Sequence, residues 1–202
     1  LDTLWDRGLL YPCTCNRRDI AAAAQAPQEG APLIGPDGVI YPGTCRKNAP
    51  APQSGTPRPH DTALRLNVAR AAQTLGTPST SFVETGSGPE GETGLINMHY
   101  DTLAQTVGDV VLARRDMGTS YHLSVVLDDA AQGITHVIRG QDLFEATQIH
   151  VLLQGLLGLP TPAYHHHRLI RDDAGKRLAK RDDARAISKY RTDGYTPQDI
   201  RH

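Results

Sequence analysis

Between residues 26 and 59 the chain is dense in proline and glycine ("APQEGAPLIGPDG", "APAPQSGTPRP"), and such a stretch lacks the apolar periodicity from which a core is built. It predicts loop, closed by "VIYPGTC", and about thirty residues of loop with so little apolar content need something other than packing to order them. Cysteines stand before this segment and inside it. "CTC" sets Cys13 and Cys15 one residue apart, and Cys45 ends "YPGTC" four residues after Tyr41.

Three cysteines cannot all pair, and a chain of 202 residues without a secretion signal is a poor setting for a disulfide framework. Metal binding or plain burial remains. Three thiolates leave the fourth corner of a tetrahedral zinc site to a Cys, a His, a carboxylate or, rarely, a phenolate. Tyr41 is the candidate in "YPGTC", and the nearest histidine, His60, lies fifteen residues past Cys45 in a Pro-rich stretch. Strand geometry would send the two thiols of Cys-x-Cys to opposite faces, so convergence on one ion needs a tight loop, which Pro12 and Thr14 suit.

Hydrophobic residues make up 39% of the chain and charged residues 21%, enough for a sizeable core in one large or two small domains. No run approaches the roughly eighteen apolar residues of a membrane span, and "LDTLWDRGLL" lacks the basic start and apolar stretch of a signal peptide. The expectation is a cytoplasmic protein with no membrane partner. With a formal net charge of −1, any nucleic-acid contact must come from a local patch, for which "RDDAGKRLAKRDDARAISKYR" (residues 171–191) is the candidate.

"DTLWDRGLL" reads as the tail of a helix running into the cysteine loop, and "TALRLNV" as a strand followed by the turn-rich excursion "TGSGPEGETG". Beyond it, "DVVLARRD" and "ITHVIRG" read as strands, "YHLSVVLDDAAQ" as a buried helix or strand, and "EATQIHVLLQGLLGL" as an amphipathic helix stopped by Pro160. This alternation suggests half of a parallel α/β sheet. "YHHHRLI" fits a further strand, "RDDAGKRLAKR" a charged loop, and "DARAISKYRTDG" a helix ending near Gly194.

Three motifs in this half carry chemistry. "GKRLAKR" groups Lys176, Arg177, Lys180 and Arg181, cations that can offset phosphate charge in a phosphoryl or nucleotidyl transfer or simply form a solvated surface. "HVIRGQDL" puts Arg139 at a strand end, where a guanidinium can grip a carboxylate with two prongs or pair structurally with Asp142 or Asp128. "HHH" (residues 165–167) resembles a metal tract, but neighbouring side chains on a strand alternate between faces, so three in a row do not share one ion easily.

The run "SYHLSVVLDDAAQGITHVIRGQDLFEATQIHVLLQGLLGLPTPAYHHHRLI", followed by "GKRLAK", resembles the catalytic core of the class I glutamyl-tRNA synthetases, and "CTC" with "YPGTC" looks like the zinc site of their truncated glutamyl-queuosine branch. The resemblance spans nearly the whole chain. It implies an α/β fold: the second half of a Rossmann-like class I core (61–170), an inserted zinc-binding loop subdomain (1–60), and a KMSKS-like loop with a C-terminal helix (171–202). By the same resemblance Cys13, Cys15, Tyr41 and Cys45 are zinc ligands, Tyr121 and Arg139 hold the glutamate, and Lys180 is the catalytic lysine that contacts ATP, with Arg177 beside it.

The family's first KMSKS lysine is Arg177 here and its serine is Ala179, so cationic character is kept and a hydroxyl contact is not. The interval from Cys15 to Tyr41 is long for the family and suggests an insertion in the knuckle. No match to the HIGH-type motif or to the first glutamate-binding segment is found, so the chain is expected to begin downstream of both. The activity implied is ATP-dependent activation of glutamate, with Mg2+ accompanying ATP, and its transfer to queuosine in the anticodon of tRNA(Asp). Two other readings stay open: a discriminating glutamyl-tRNA synthetase fragment that charges tRNA(Glu), and a non-catalytic, zinc-containing tRNA-binding module.

Overall fold

Leu4, Leu9 and Leu10 lose all or nearly all solvent contact within the first ten residues, and this drives the opening element to fold back on itself. Helix α1 (Asp2–Asp6) ends at Arg7, and Gly8, at a left-handed φ of 68°, turns the chain into strand β1 (Leu10–Cys13). The computed structural model describes residues 1–24, 34–36, 38–49, 55–171, 175 and 187–201. After β1 come helix α2 (Arg17–Ala24), a small antiparallel hairpin of β2 (Ile34–Gly35) and β3 (Gly38–Val39), and helix α3 (Thr44–Asn48). Strand β4 (Ala63–Leu66) then returns beside β1 in antiparallel register, Leu10 facing Leu66 and Cys13 facing Ala63.

Helix α4 (Val68–Thr74) is capped by the Asn67 side chain, which accepts from the Arg70 N–H. Strands β5 (Ser79–Glu84) and β6 (Gly94–His99) form a hairpin around "TGSGPEGETG" and lead to helix α5 (Tyr100–Thr106). Strand β7 (Val111–Ala113) joins β4 to complete a three-stranded sheet of order β1-β4-β7. Helix α6 (Tyr121–Gln132), strand β8 (His136–Gly140), helix α7 (Thr147–Leu157) and strand β9 (Ala163–His167) follow.

The second sheet has the order β6-β5-β9-β8, with β8 and β5 both parallel to β9 and β6 antiparallel to β5. The expected parallel sheet is therefore a mixed one. Strands β8 and β9 are joined by a crossover helix and can run parallel, whereas a turn as short as residues 85–93 can only return the chain antiparallel. The strand, helix and turn expectations for residues 111–167 otherwise match the elements seen, with "YHLSVVLDDAAQ" resolved as helix.

One cluster of buried side chains, including Leu4, Leu64, Leu112, Leu123, Ile149 and Leu153, runs from α1 through both sheets to α7. A second, much smaller cluster stands apart: Tyr11, Cys13 and Tyr41, with Cys15, Ile20, Cys45 and Ala49 against them. The cysteine loop thus has little core of its own. Leu1–His167 forms one compact unit and Arg168–His202 another. In the latter, helix α8 (Ile187–Thr192) ends at Gly194 (φ 87°) as its sequence implies, and helix α9 (Pro197–Arg201) begins with a reciprocal Thr196–Asp199 cap. Among the described residues no helix is long and apolar enough to cross a membrane.

Candidate metal centre and amino-acid site

Cys13 is the last residue of β1 and Cys15 lies in the coil beyond it, so ending the strand between them lets the second thiol escape the strand's alternation. Cys45 is the second residue of α3. Gly43, with φ 78°, turns the chain just before that helix, and a Cβ there would meet the Arg46 guanidinium at 2.7 Å. The turn folds Tyr41 back over α3, where the Cys45 N–H donates to its hydroxyl at 2.7 Å.

The three sulfurs lie within 4.8 Å of one another, with Cys15 and Cys45 3.4 Å apart. The Tyr41 oxygen stands 3.6 Å from Cys13 Sγ and 3.5 Å from Cys15 Sγ. A tetrahedron with Zn–S bonds near 2.3 Å has edges of about 3.8 Å, so three sulfurs and one oxygen at these separations could close on a metal ion if the separations changed by up to about an ångström. Burial pushes the Tyr41 phenol and the Cys15 thiol up. Burial opposes ionisation of Cys45 too, but hydrogen bonds from Tyr41 and the Thr14 backbone outweigh it and bring that thiol down to about 6.

The centre is tied to the first sheet by Asp109. This buried carboxylate accepts from the Tyr11 hydroxyl at 2.5 Å, from Arg46 Nη1 of α3 at 2.9 Å and from the Val68 N–H at 3.0 Å. Arg65 of β4 donates through Nε to Cys13 Sγ at 3.3 Å and through Nη1 to the Asp109 carbonyl at 2.8 Å.

A second constellation surrounds Arg139, near the end of β8. Its Nε donates to His166 Nε2 at 3.0 Å, Nη1 to His150 Nδ1 at 3.1 Å, and Nη2 to Thr147 Oγ1 at 2.6 Å and the Leu143 carbonyl at 3.2 Å. Because a guanidinium only donates, these contacts assign the imidazole protons. His166 carries its proton on Nδ1, 2.5 Å from Glu84 Oε2, and His150 carries its proton on Nε2, 3.0 Å from His122 Nδ1. Glu84 also takes the His166 and Gly86 backbone N–H groups on Oε1. A Cβ on Gly86 would lie 2.3 Å from the His166 carbonyl, so only glycine lets the loop approach β9 this closely.

The result is a row of hydrogen bonds in which Arg139 donates to two neutral imidazoles, His166 donating its own proton to the buried Glu84 carboxylate and His150 to His122. Burial disfavours the charged form of Glu84, but the His166 ring and the two backbone donors outweigh it and hold the carboxyl below its usual range. Four of the five guanidinium N–H bonds are engaged by these partners, which leaves one N–H for any further contact in this arrangement.

Tyr121, the first residue of α6, is half exposed, and its ring meets the His122 and His150 rings edge-on at 5.6 and 5.8 Å. Tyr121 and Arg139 thus both contact His150. Tyr121, Ser120 and His122 line a cleft of about 950 Å3 together with Cys13, Cys15 and Tyr41, so the cysteine loop and the α6 N-terminus face the same cavity. Ser120 keeps a buried hydroxyl without a hydrogen-bond partner among the described residues.

The family description "tRNA synthetases class I (E and Q), catalytic domain" matches residues 93–202. The chain is 64% identical over all 202 residues to a glutamyl-Q tRNA(Asp) synthetase of Rhodobacter capsulatus and spans 68% of that protein's length. The chain belongs to this family. Relatives of the same name from Neisseria meningitidis serogroup C and Nocardia farcinica are 36% and 38% identical over 96% and 98% of the chain, which spans 57% and 55% of their lengths. A crystal structure of a glutamate tRNA ligase from Elizabethkingia meningosepticum, in complex with its amino acid, aligns with a TM-score of 0.52 at 21% identity, over 89% of this chain and 35% of that one. It shares the class I fold.

Against that family background, the sequence-predicted residues Cys13, Cys15, Tyr41 and Cys45 converge, and so do Tyr121 and Arg139. Lys180 and Arg177 lie outside the described residues. Sequence reasoning missed Glu84, His150, His166, Arg65 and Asp109. A signal for part of this set was present: in α7, Thr147, His150 and Gln154 recur at helical spacing among apolar residues, marking a polar stripe on a helix that is buried almost all round. Strand alternation in "YHHHR" likewise separates His166, which is buried, from its two exposed or half-exposed neighbours.

The buried imidazole of His150 gives this synthetase-family chain a measurable acid sensitivity. Burial and then the neighbouring Arg139 charge lower its pKa from 6.5 to about 2. In the unfolded chain the ring binds a proton near its model value of 6.5, so stability from this group is fully present above 6.5 and is lost progressively as pH falls toward 2. The unfolding free energy from urea titrations should therefore fall with acidification by about 1.4 kcal/mol per pH unit for this one group. His150→Asn should flatten the pH slope by close to one proton, and an unchanged slope would mean that His150 is protonated in the native state.

Proposed function

We propose that the protein activates glutamate with ATP and transfers it to the queuosine base in the anticodon of tRNA(Asp). The observation that carries this reading is the 64% identity, over every residue of the chain, to a relative bearing the glutamyl-Q tRNA(Asp) synthetase name. The placing of Tyr121 and Arg139 on either side of His150 supports it, because an amino-acid substrate needs both a cation and an aromatic wall to be oriented.

In the first step a glutamate carboxylate oxygen attacks the α-phosphorus of ATP, and pyrophosphate leaves with the electrons of the broken P–O bond. Arg139 supplies fixed positive charge near the amino acid, and the Glu84–His166 pair behind it stops the guanidinium from swinging away. Lys180, with Arg177, stabilises the charge that grows on the phosphates. In the second step the glutamyl group passes to the queuosine base and AMP departs.

Cys13, Cys15, Tyr41 and Cys45 hold a zinc ion whose chemistry is structural. It orders the loop that walls the cleft and takes no part in either step. On this reading residues 1–60 act as the metal loop subdomain, 61–170 as the α/β catalytic core, and 171–202 as the ATP-contacting loop and terminal helix.

The test is glutamate-dependent ATP–pyrophosphate exchange, with and without tRNA, together with transfer of labelled glutamate to tRNA(Asp) that does or does not carry queuosine. Exchange and queuosine-dependent labelling are expected, and labelling of tRNA(Glu) instead would overturn the assignment. Lys180→Ala should slow exchange by about 10²-fold with little change in glutamate binding, because its charge acts mainly as pyrophosphate leaves. An unaltered exchange rate would remove Lys180 from catalysis.

A further inference from the structure

Arg65 is charged and yet buried, on a strand whose register sets it opposite Tyr11. A buried cation is costly unless something answers its charge. The contacts it makes are the Cys13 sulfur at 3.3 Å, the Asp109 carbonyl oxygen at 2.8 Å, and the face of the Tyr41 ring, whose centroid lies 4.0 Å from the guanidinium carbon. None of the three is a carboxylate. Two of them, however, become anions when a metal is held: a thiolate at Cys13 and a phenolate at Tyr41.

We propose that Arg65 is the positioning residue of the metal centre, gripping Cys13 and the Tyr41 ring together so that a phenolate can serve as the fourth ligand. Formally, three thiolates and one phenolate around a divalent ion leave two negative charges in a place where Cys13 and Tyr41 are nearly inaccessible to water. The guanidinium offsets one of them. It does so through a geometry lysine cannot copy, since a planar cation can lie on a ring and donate in its own plane at the same time. The arrangement also explains why phenolate is tolerated at all, because an electron-rich ring binds a cation on its face more strongly than a neutral phenol does.

The inference rests on the reading of the cysteine cluster as a metal site, and the experiment separates the two. Zinc affinity is measured by chelator competition on the full chain as wild type, Arg65→Gln, Arg65→Lys, Tyr41→Phe and the Arg65→Gln/Tyr41→Phe double variant, with the folded fraction followed by near-ultraviolet circular dichroism. Arg65→Gln is expected to weaken zinc about 10- to 100-fold, as loss of an outer partner of a metal ligand does, with Arg65→Lys between the two. The phenolate difference band that zinc induces in wild type should fade in Arg65→Gln. The double variant should cost less than the sum of its single changes, because both remove the same ligand.

Wild type that binds no zinc would overturn the metal reading itself. Wild type that binds zinc, with Arg65→Gln of equal affinity and an intact phenolate band, would overturn the role of Arg65 alone. So would a loss of affinity that only tracks the folded fraction, or one fully additive with Tyr41→Phe.

Discussion

Arg139→Ala is expected to lower kcat/KM for glutamate by about 30- to 1000-fold, or roughly 2 to 4 kcal/mol, the usual cost of losing a charge-assisted contact in a closed site. Most of the loss should fall on glutamate and little on ATP. The same change should also cost stability, because the guanidinium donates to His166 Nε2, which otherwise has only a 3.4 Å contact with the Thr147 hydroxyl, and to His150 Nδ1, and each buried acceptor left without a donor costs about 1 to 3 kcal/mol. Water can reach part of the vacated space, since Arg139 is only half-buried, so the measured loss should sit at the low end of that sum.

The two effects separate experimentally. Thermal unfolding reports the network, and glutamate saturation measured well below the unfolding midpoint reports the substrate contact. If saturation were unaltered while the midpoint fell, Arg139 would be a structural keystone and not a substrate ligand. Glu84→Gln refines the picture: it removes the charge behind His166 but keeps the shape, so it should loosen glutamate binding by less than Arg139→Ala does.

Stripping the metal should have the next largest effect, and a local one. The purified protein is expected to hold about one zinc per chain, and structural zinc commonly contributes on the order of 10 kcal/mol to the fold it closes. Here the energy is concentrated in the small cluster around Tyr11, Cys13 and Tyr41, and α2 buries no residue fully, so little else orders the loop. Chelation or Cys13→Ser should therefore raise hydrogen exchange over the end of β1, α2 and α3 by orders of magnitude. The helices α6 and α7, which belong to the main core, should change far less. Uniform loosening of the whole chain would contradict a site that orders only its own loop, and full activity with well under one equivalent of zinc would sink the metal.

The cysteine site was legible because its information is local. Cys-x-Cys and Tyr-x-x-x-Cys flank a segment that cannot pack by itself, and Pro42 and Gly43 encode the turn that folds Tyr41 back over α3. Residues 121–167 were legible for a different reason, an alternation of apolar segments with Pro160 as a stop, while the structure decided that residues 121–132 are helix and ended α6 and α7 at the left-handed Gly133 and Gly158. The sheet's mixed sense was missed because β5 and β6 were not assigned from sequence, and their strand partners, each other and β9, are set by long-range pairing.

Side-chain type and local spacing by themselves determined which residues can ligate a metal, that a helix stops before Pro160 and another near Gly194, and that Arg139 stands at a strand end beside a glycine. Tertiary structure alone decided what those groups meet. Glu84 and His166 are 82 positions apart, and Arg65 and Cys13 are 52 apart, yet each pair is in hydrogen-bond contact. The physical reason is that a buried charge must find its partner wherever the topology places one, and strand pairing brings distant residues side by side according to register, which no local pattern records.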